Sequence, residues 1–301
     1  MIITVKDATK DFLSNPNLKE STFSQYSFIC EKHILPYFKD MDIKQLNNRA
    51  INGFIQEKIK NGGLLGKPLS PKTISDMTCL LIQIVKAHHH FEINVKKPRY
   101  RQEEIAIFSK SEYNRLKAYL SLDTDSRKLG IIIAMLTGIR IGELSALKWE
   151  NIDLDRGIIY ITKTMQRIKS IGTKKKTKII IDTPKSIASI RSIPIPNVLL
   201  RTLEEFEAPS NTYVLTNTNK YIEPRVYQRY FKKCLSACNI TDYKFHTLRH
   251  TFATNGIASG MDVKTLSILL GHSDVSFTMK RYVHPNIEHR RIQIEKLAVG
   301  F

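Results

Sequence analysis

The sequence predicts a mainly α-helical chain with a small antiparallel β-sheet, an α+β fold in two domains. Three observations carry this. Apolar residues recur at helical spacing over most of the 301 residues, the stretch 157–195 changes to β-branched runs, and a basic stretch near residue 100 has no period at all. The length suits two domains with a core each. The breaks set them at residues 1–95 and 107–301, joined by a basic linker at 96–106.

The first domain is helical from Thr22 to about Phe91. Phe23, Tyr26, Ile29 and Cys30, then Ile51, Phe54, Ile55 and Ile59, then Ile74, Met77, Leu81, Ile84 and Val85 form successive apolar stripes. Ser70 before Pro71 is the start signal of the last, a cap followed by proline in the first turn. The linker carries Lys96, Lys97, Arg99 and Arg101. It is either a solvated tether or a segment that follows a nucleic-acid backbone. Residues 109–120 and 127–136 read as helices, Thr137-Gly138 ends the second, and Ile141, Leu144 and Leu147 give a core face to a helix carrying Arg140. Strand character follows at 158–162, 178–181 and 193–195. Across it Lys163, Arg167, Lys169, Lys174, Lys175, Lys176 and Lys178 stand with no acid among them, as in a phosphate-tracking arm or simply a solvated surface. Helices return at 226–238 and 246–258. An apolar stripe of Val263, Leu266, Leu269 and Leu270 ends at Gly271, and 275–282 forms a short helix before Pro285 and an amphipathic tail with Ile292, Ile294 and Leu297.

Lysine and arginine number 47 against 28 acidic residues, a formal charge of +19. Such an excess favours a polyanionic partner, nucleic acid first and an anionic membrane second. The apolar run at 129–136 is far below the roughly 20 residues needed to span a bilayer. Charges from Lys6 to Asp11 interrupt any secretory leader, so the cytosol is the expected compartment. Cys30, Cys79, Cys234 and Cys238 are too scattered for a disulfide framework. Cys234 and Cys238 lack a second ligand pair, and His88, His89 and His90 cannot all face one ion from a helix, so no metal is expected.

The chemistry lies in an ordered set: Arg140, then His246-Thr247-Leu248-Arg249, then His272, then Tyr282. A guanidinium fork can hydrogen-bond two phosphate oxygens and neutralise charge that builds in a transition state. A phenol is a weak nucleophile until an imidazole and nearby positive charge assist it. Each piece alone has a bland reading: a lone HxxR is usually a surface pair, and a histidine after glycine can simply occupy a helix exit. Together they describe a tyrosine that attacks a phosphodiester.

These residues resemble the tyrosine recombinase (phage integrase) family, whose signature is Arg, His-x-x-Arg, His or Trp, and Tyr. The matching stretches are Thr137-Gly138-Ile139-Arg140-Ile141-Gly142-Glu143-Leu144, then His246-Thr247-Leu248-Arg249-His250-Thr251-Phe252-Ala253-Thr254, then Leu270-Gly271-His272-Ser273, then Arg281-Tyr282. The first hundred residues are similar to the family's SAM-like core-binding domain at Thr22-Phe23-Ser24-Gln25-Tyr26, His33-Ile34-Leu35-Pro36 and Leu69-Ser70-Pro71-Lys72-Thr73. The resemblance implies a C-shaped clamp around DNA and strand exchange through a 3′-phosphotyrosine, without metal, ATP or other cofactor. It casts Arg140 and Arg249 as phosphate clamps, His246 as general base or acid, His272 as a donor to phosphate and Glu143 as the acid that orients Arg140. Lys185, in Thr183-Pro184-Lys185-Ser186, matches the family's general-acid lysine of a β-hairpin, with Lys174, Lys175, Lys176 and Lys178 as rivals. Lys72, Lys97, Arg99 and Arg101 join the basic arm as DNA-contact candidates. Expected partners are a double-stranded recombination site, a homotetramer on two duplexes from a free monomer, and accessory DNA-bending proteins, in a bacterial cytosol and at the nucleoid when active. With no arm-binding domain ahead of the core-binding helices, a Xer-like dimer-resolution recombinase and a shortened integrase both stay open, and the long basic hairpin favours the integrase. A non-catalytic DNA binder on the same fold and a type IB topoisomerase-like enzyme are the other readings.

Overall fold

Polar caps decide where the helices of this chain begin. In the first unit α1 (Val5–Leu13) opens at Thr4, which accepts a bond from the Asp7 amide while the Asp7 carboxylate accepts from the Thr4 amide. Helix α2 (Glu20–Ile29) runs through a π-turn, Cys30–Ile34, into α3 (Leu35–Phe38). Pro36 has no amide hydrogen, and just before it the ladder widens so that the Leu35 amide donates to the Cys30 carbonyl. Helices α4 (Asn48–Asn61) and α5 (Pro71–His88) are capped by Asn47 and Ser70. Ile34, Phe38, Ile51, Phe54, Ile74, Leu81 and Ile84 form the core between them. Each such burial stabilises by about 1.5–3 kcal/mol.

The computed structural model describes residues 2–63, 68–89, 92–100, 105–170, 176–184, 186–283, 291, 294, 295 and 298. The chain divides into one unit of Met1–Glu103 with Ile168–Lys178 and a second of Glu104–Arg167 with Ile179–Phe301. Within the first, Ser24 Oγ donates to the Lys169 carbonyl at 3.1 Å, the Lys169 ammonium lies over the Phe28 ring, and Lys178 pairs with Glu20.

The second unit begins with α6 (Lys110–Ser121), α7 (Ser126–Thr137) and α8 (Ile141–Ala146). Among the described residues the strands that follow in the chain are β1 (Ile152–Asp153), β2 (Ile158–Ile161), β3 (Thr164–Lys169), β4 (Thr177–Asp182) and β5 (Arg191–Pro194), with the end of β3 and the start of β4 belonging to the first unit. Strands β1, β2 and β5 form one antiparallel sheet with Ile159 opposite Ile193, and β3 pairs with β4. Thus β4 and β5, which flank the Thr183-Pro184-Lys185-Ser186 stretch matched to a β-hairpin, lie in two different sheets, because β5 pairs with β2 and not with β4. The sequence does not predict strand β3: its burial alternates imperfectly, and Gln166 and Arg167 separate its apolar residues Met165 and Ile168. Helices α9 (Asn197–Glu205), α10 (Pro224–Ala237), α11 (His246–Ala258), α12 (Val263–Leu270) and α13 (Val275–Tyr282) complete the unit. Leu129, Ile133, Trp149, Ile159, Ile193, Tyr227 and Phe231 anchor its core.

The fold is therefore mainly helical with small antiparallel sheets, as the periodicity predicts. Cys30, Cys234 and Cys238 are buried thiols, Cys79 is half-buried, and none of the four is in a disulfide. His88 is held by the Ile84 carbonyl and Asp11. Among the described residues no helix is long and apolar enough to cross a membrane.

Candidate active site

Two left-handed glycines place the polar residues. Helix α7 ends at Gly138, φ +64°, where a Cβ would come within 2.7 Å of the Phe252 ring. The turn delivers Arg140, which is the cap of α8 and not a residue inside it. Glu143, in the first turn of α8, accepts from the Arg140 amide at 3.0 Å and from Arg140 Nη1 at 2.6 Å. It also accepts from Arg191 Nη1 at 3.1 Å and Nη2 at 2.9 Å, and both side chains of this pair are almost wholly buried. Burial alone would push the Glu143 carboxyl up, but the Arg191 bonds and the charges of Arg191 and Arg140 outweigh it and hold the group below the usual carboxylate range. Glu143 therefore stays ionised, and Arg140 is steered while a third of its side chain remains open to solvent.

Helix α12 ends at Gly271, φ +63°, with the His272 amide donating to Ser267 and the Gly271 amide to Ile268, a Schellman turn. The carbonyls at this helix end have a use. Arg249, 1% exposed, donates from Nη2 to the Leu270 carbonyl at 2.5 Å and from Nη1 to the Gly138 carbonyl at 2.9 Å. The negative ends of α7 and α12 thus compensate a buried cation. Burial, then Arg140, pushes the Arg249 pKa down to about 9, so it stays charged at neutral pH. Arg140 Nη2 donates to the Gly271 carbonyl at 3.1 Å, so both guanidiniums are fixed by the same turn.

The imidazoles and the phenol close the set. His272 Nε2 is 2.9 Å from Arg249 Nη2, and its Nδ1 is 2.7 Å from Thr278 Oγ1. Burial, then Arg249, pushes its pKa down to about 4, leaving a neutral ring. The Phe245 amide donates to Gln228 Oε1 and fixes the entry of α11, from which His246 projects with an open edge. Burial, then His250, lowers its pKa as well. Tyr282 is 6% exposed, and its hydroxyl lies 2.8 Å from Nδ1 of His250, not of His246. The His246 ring instead stands edge-on to His250, centroids 4.6 Å apart. Burial raises the phenol pKa although Arg249, Arg281 and Arg140 oppose it, so the resting group is protonated. Arg140, His246, Arg249, His250, His272 and Tyr282 all line one cavity of about 510 Å³.

Residues 106–289 match the model of the phage integrase family, and 4–59 match that of the phage integrase N-terminal SAM-like domain. The chain belongs to the phage integrase family of tyrosine recombinases. It is 30% identical over 215 residues to a XerC-like tyrosine recombinase of Caldanaerobacter subterraneus, covering 65% of this chain and 54% of that protein. It is 24% identical to the ICEBs1 integrase of Bacillus subtilis, covering 98% of this chain and 81% of that one. The fold is similar to that of the Tn1549 transposon integrase in complex with transposon right end DNA, with a TM-score of 0.77, 20% identity and coverage of 98% and 100%.

In this phage integrase family chain the remaining candidates stand as follows. Lys185, Lys174, Lys175 and Arg101 lie outside the described residues. Lys163, Lys176 and Arg99 are exposed. Lys72 pairs with Asp76 at 3.0 Å, Lys97 donates to Cys79 Sγ, and Arg167 is bound to Glu223. Among the described residues none of the basic-arm candidates lines the cavity, and no three His, Cys, Asp or Glu are grouped to hold a metal. Sequence reasoning missed Arg191 and His250, although each left a signal. Arg191 occupies an inward position of β5, in register with buried Ile193, where a cation requires an acid. His250 falls four residues after His246, on the same helix face.

Proposed function

We propose that the chain is a site-specific DNA recombinase of the integrase type. The observation that carries this is the convergence of Arg140, His246, Arg249, His272 and Tyr282 on one cavity. The phenol oxygen of Tyr282 attacks the scissile phosphorus, a 3′-phosphotyrosine forms, and the 5′-oxygen leaves as a hydroxyl. A 5′-hydroxyl from a partner strand reverses the step at a new junction. One phosphoester replaces another of similar energy, so no nucleotide hydrolysis is required. Arg140 and Arg249 hold the non-bridging oxygens and stabilise the charge of the transition state. His246 donates a hydrogen bond to the same phosphate, and neutral His272, whose Nε2 accepts from Arg249 Nη2 at 2.9 Å, holds that guanidinium in place. Lys185 protonates the departing 5′-oxygen.

The +19 charge supplies salt-dependent affinity for a double-stranded site. The domains are residues 1–95, a linker at 96–106 and the catalytic domain 107–301, and the working form is a homotetramer on two duplexes, assembled from monomers in the cytosol with DNA-bending accessory proteins. The Tn1549 integrase structure with transposon end DNA supports the DNA partner, and the λ integrase tetramer bound to a Holliday junction supports the assembly.

The test uses nicked duplexes tiled across the DNA that flanks the gene, in which a cut strand end diffuses away and traps the covalent step. A denaturant-stable protein–DNA adduct that disappears in Tyr282→Phe is expected; no adduct on any duplex would overturn the proposal. Strand transfer between two duplexes separates a recombinase from a topoisomerase-like enzyme.

A further inference from the structure

We infer that His250, not His246, is the imidazole that takes the phenolic proton of Tyr282 during strand cleavage and returns it during rejoining. This rests on the proposed function and assigns one of its proton transfers.

The geometry is direct. Nδ1 of His250 lies 2.8 Å from the Tyr282 hydroxyl, within the reach a general base requires. His246 makes no described hydrogen bond to the phenol, and His272 has both ring nitrogens engaged, one with Thr278 and one with Arg249. His250 is the group left beside the reacting oxygen. The alignment has a structural cause: α11 and α13 pack together, and His250 lies one turn further along α11 than His246, where its ring meets the Tyr282 hydroxyl.

The charges around His250 also fit acceptance. On its own helix it faces His246 and Arg249, and from the neighbouring segments His272, Arg281 and Tyr282. Burial, then Arg281 and Arg249, pushes its pKa down to about 4, so the resting ring is neutral with a free lone pair for the phenol. An incoming phosphodiester brings negative charge beside the ring and raises its proton affinity as the attack begins. The step balances: the proton passes from Tyr282 to Nδ1, the phenol oxygen forms its bond to phosphorus, and the bond to the 5′-oxygen breaks as that oxygen is protonated. In rejoining, the attacking 5′-hydroxyl gives its proton back to the group that protonated the leaving 5′-oxygen, Lys185 in the proposed function, and the His250 imidazolium returns one to the departing phenolate. This division leaves His246 to the phosphate.

The test is single-turnover cleavage by the full chain, on the nicked duplex that yields the Tyr282 adduct, from pH 5 to 10. Variants are His250→Ala, His250→Asn and His246→Asn. Asparagine places an acceptor near the Nδ1 position but cannot take a proton, so it keeps the contact and the packing if the alanine variant unfolds. Cleavage at pH 7 is expected to fall about 10²- to 10⁴-fold in both His250 variants. Their rates should climb with pH toward the phenol's own range, and added imidazole should restore part of the alanine variant's activity. His246→Asn is expected to slow cleavage while keeping the wild-type pH profile. Wild-type rates in His250→Asn, or transfer of the altered profile to His246→Asn, would overturn the inference alone. Absence of any wild-type adduct would remove the proposed function and this step with it.

Discussion

Replacing Arg191 by methionine tests how the site is held. The substitution removes both guanidinium bonds to Glu143 together with those to the Leu269 and Ser189 carbonyls. Breaking a buried ion pair from one side costs about 3–5 kcal/mol, because the remaining charge stays buried without its partner. Arg140 keeps its bond to Glu143 Oε1 at 2.6 Å, which places the loss at the lower end, about 3 kcal/mol. For a unit of this size that corresponds to a fall in Tm of about 6–12 °C. Thermal unfolding followed by circular dichroism measures it. The double variant Glu143→Gln with Arg191→Met should be more stable than Arg191→Met, since the amide removes the orphaned charge. A loss below about 1 kcal/mol, or a double variant worse than the single, would refute the view that Glu143 depends on Arg191.

Three further outcomes follow from the same geometry. Gly271→Ala forces a side chain into a left-handed residue with its Cβ 3.1 Å from the Ala188 carbonyl and from Arg191 Nη1, so a loss of at least about 1–2 kcal/mol in denaturant unfolding is expected, with slower adduct formation. Stability should decline as pH drops below 6.5, the usual histidine value, toward 4. His250 and His272 are pushed down to about 4 in the folded chain, so the unfolded chain binds the extra protons in that window; Tm against pH should flatten in His272→Asn. Glu143 adds stability that is full above pH 4.5 and lost as pH falls through its lowered value. Lys163→Ala should weaken DNA binding and reduce the salt slope by about one, whereas Arg167→Ala should chiefly cost stability because Arg167 is bound to Glu223, as filter binding at several salt concentrations and melting would show.

Much of this was legible in order and period. The Ser70-Pro71 start, the stripe that ends at Gly271 and the span 275–282 are local signals, and local hydrogen bonding realises them. The separation of β4 and β5 into two sheets was not legible, because strand partners are chosen by burial across the sheet and not by proximity in the chain.

By itself the sequence determined the kit and its order: two guanidiniums, the imidazoles and a phenol on a basic chain, since these depend only on residue type and spacing. Only the tertiary structure decided that Glu143 bridges Arg140 to Arg191, that two helix ends neutralise Arg249, and that Tyr282 meets His250. Apart from the local Arg140–Glu143 bond, those pairings join residues 21 to 111 positions apart, set by the rotation of one packed helix or strand against another.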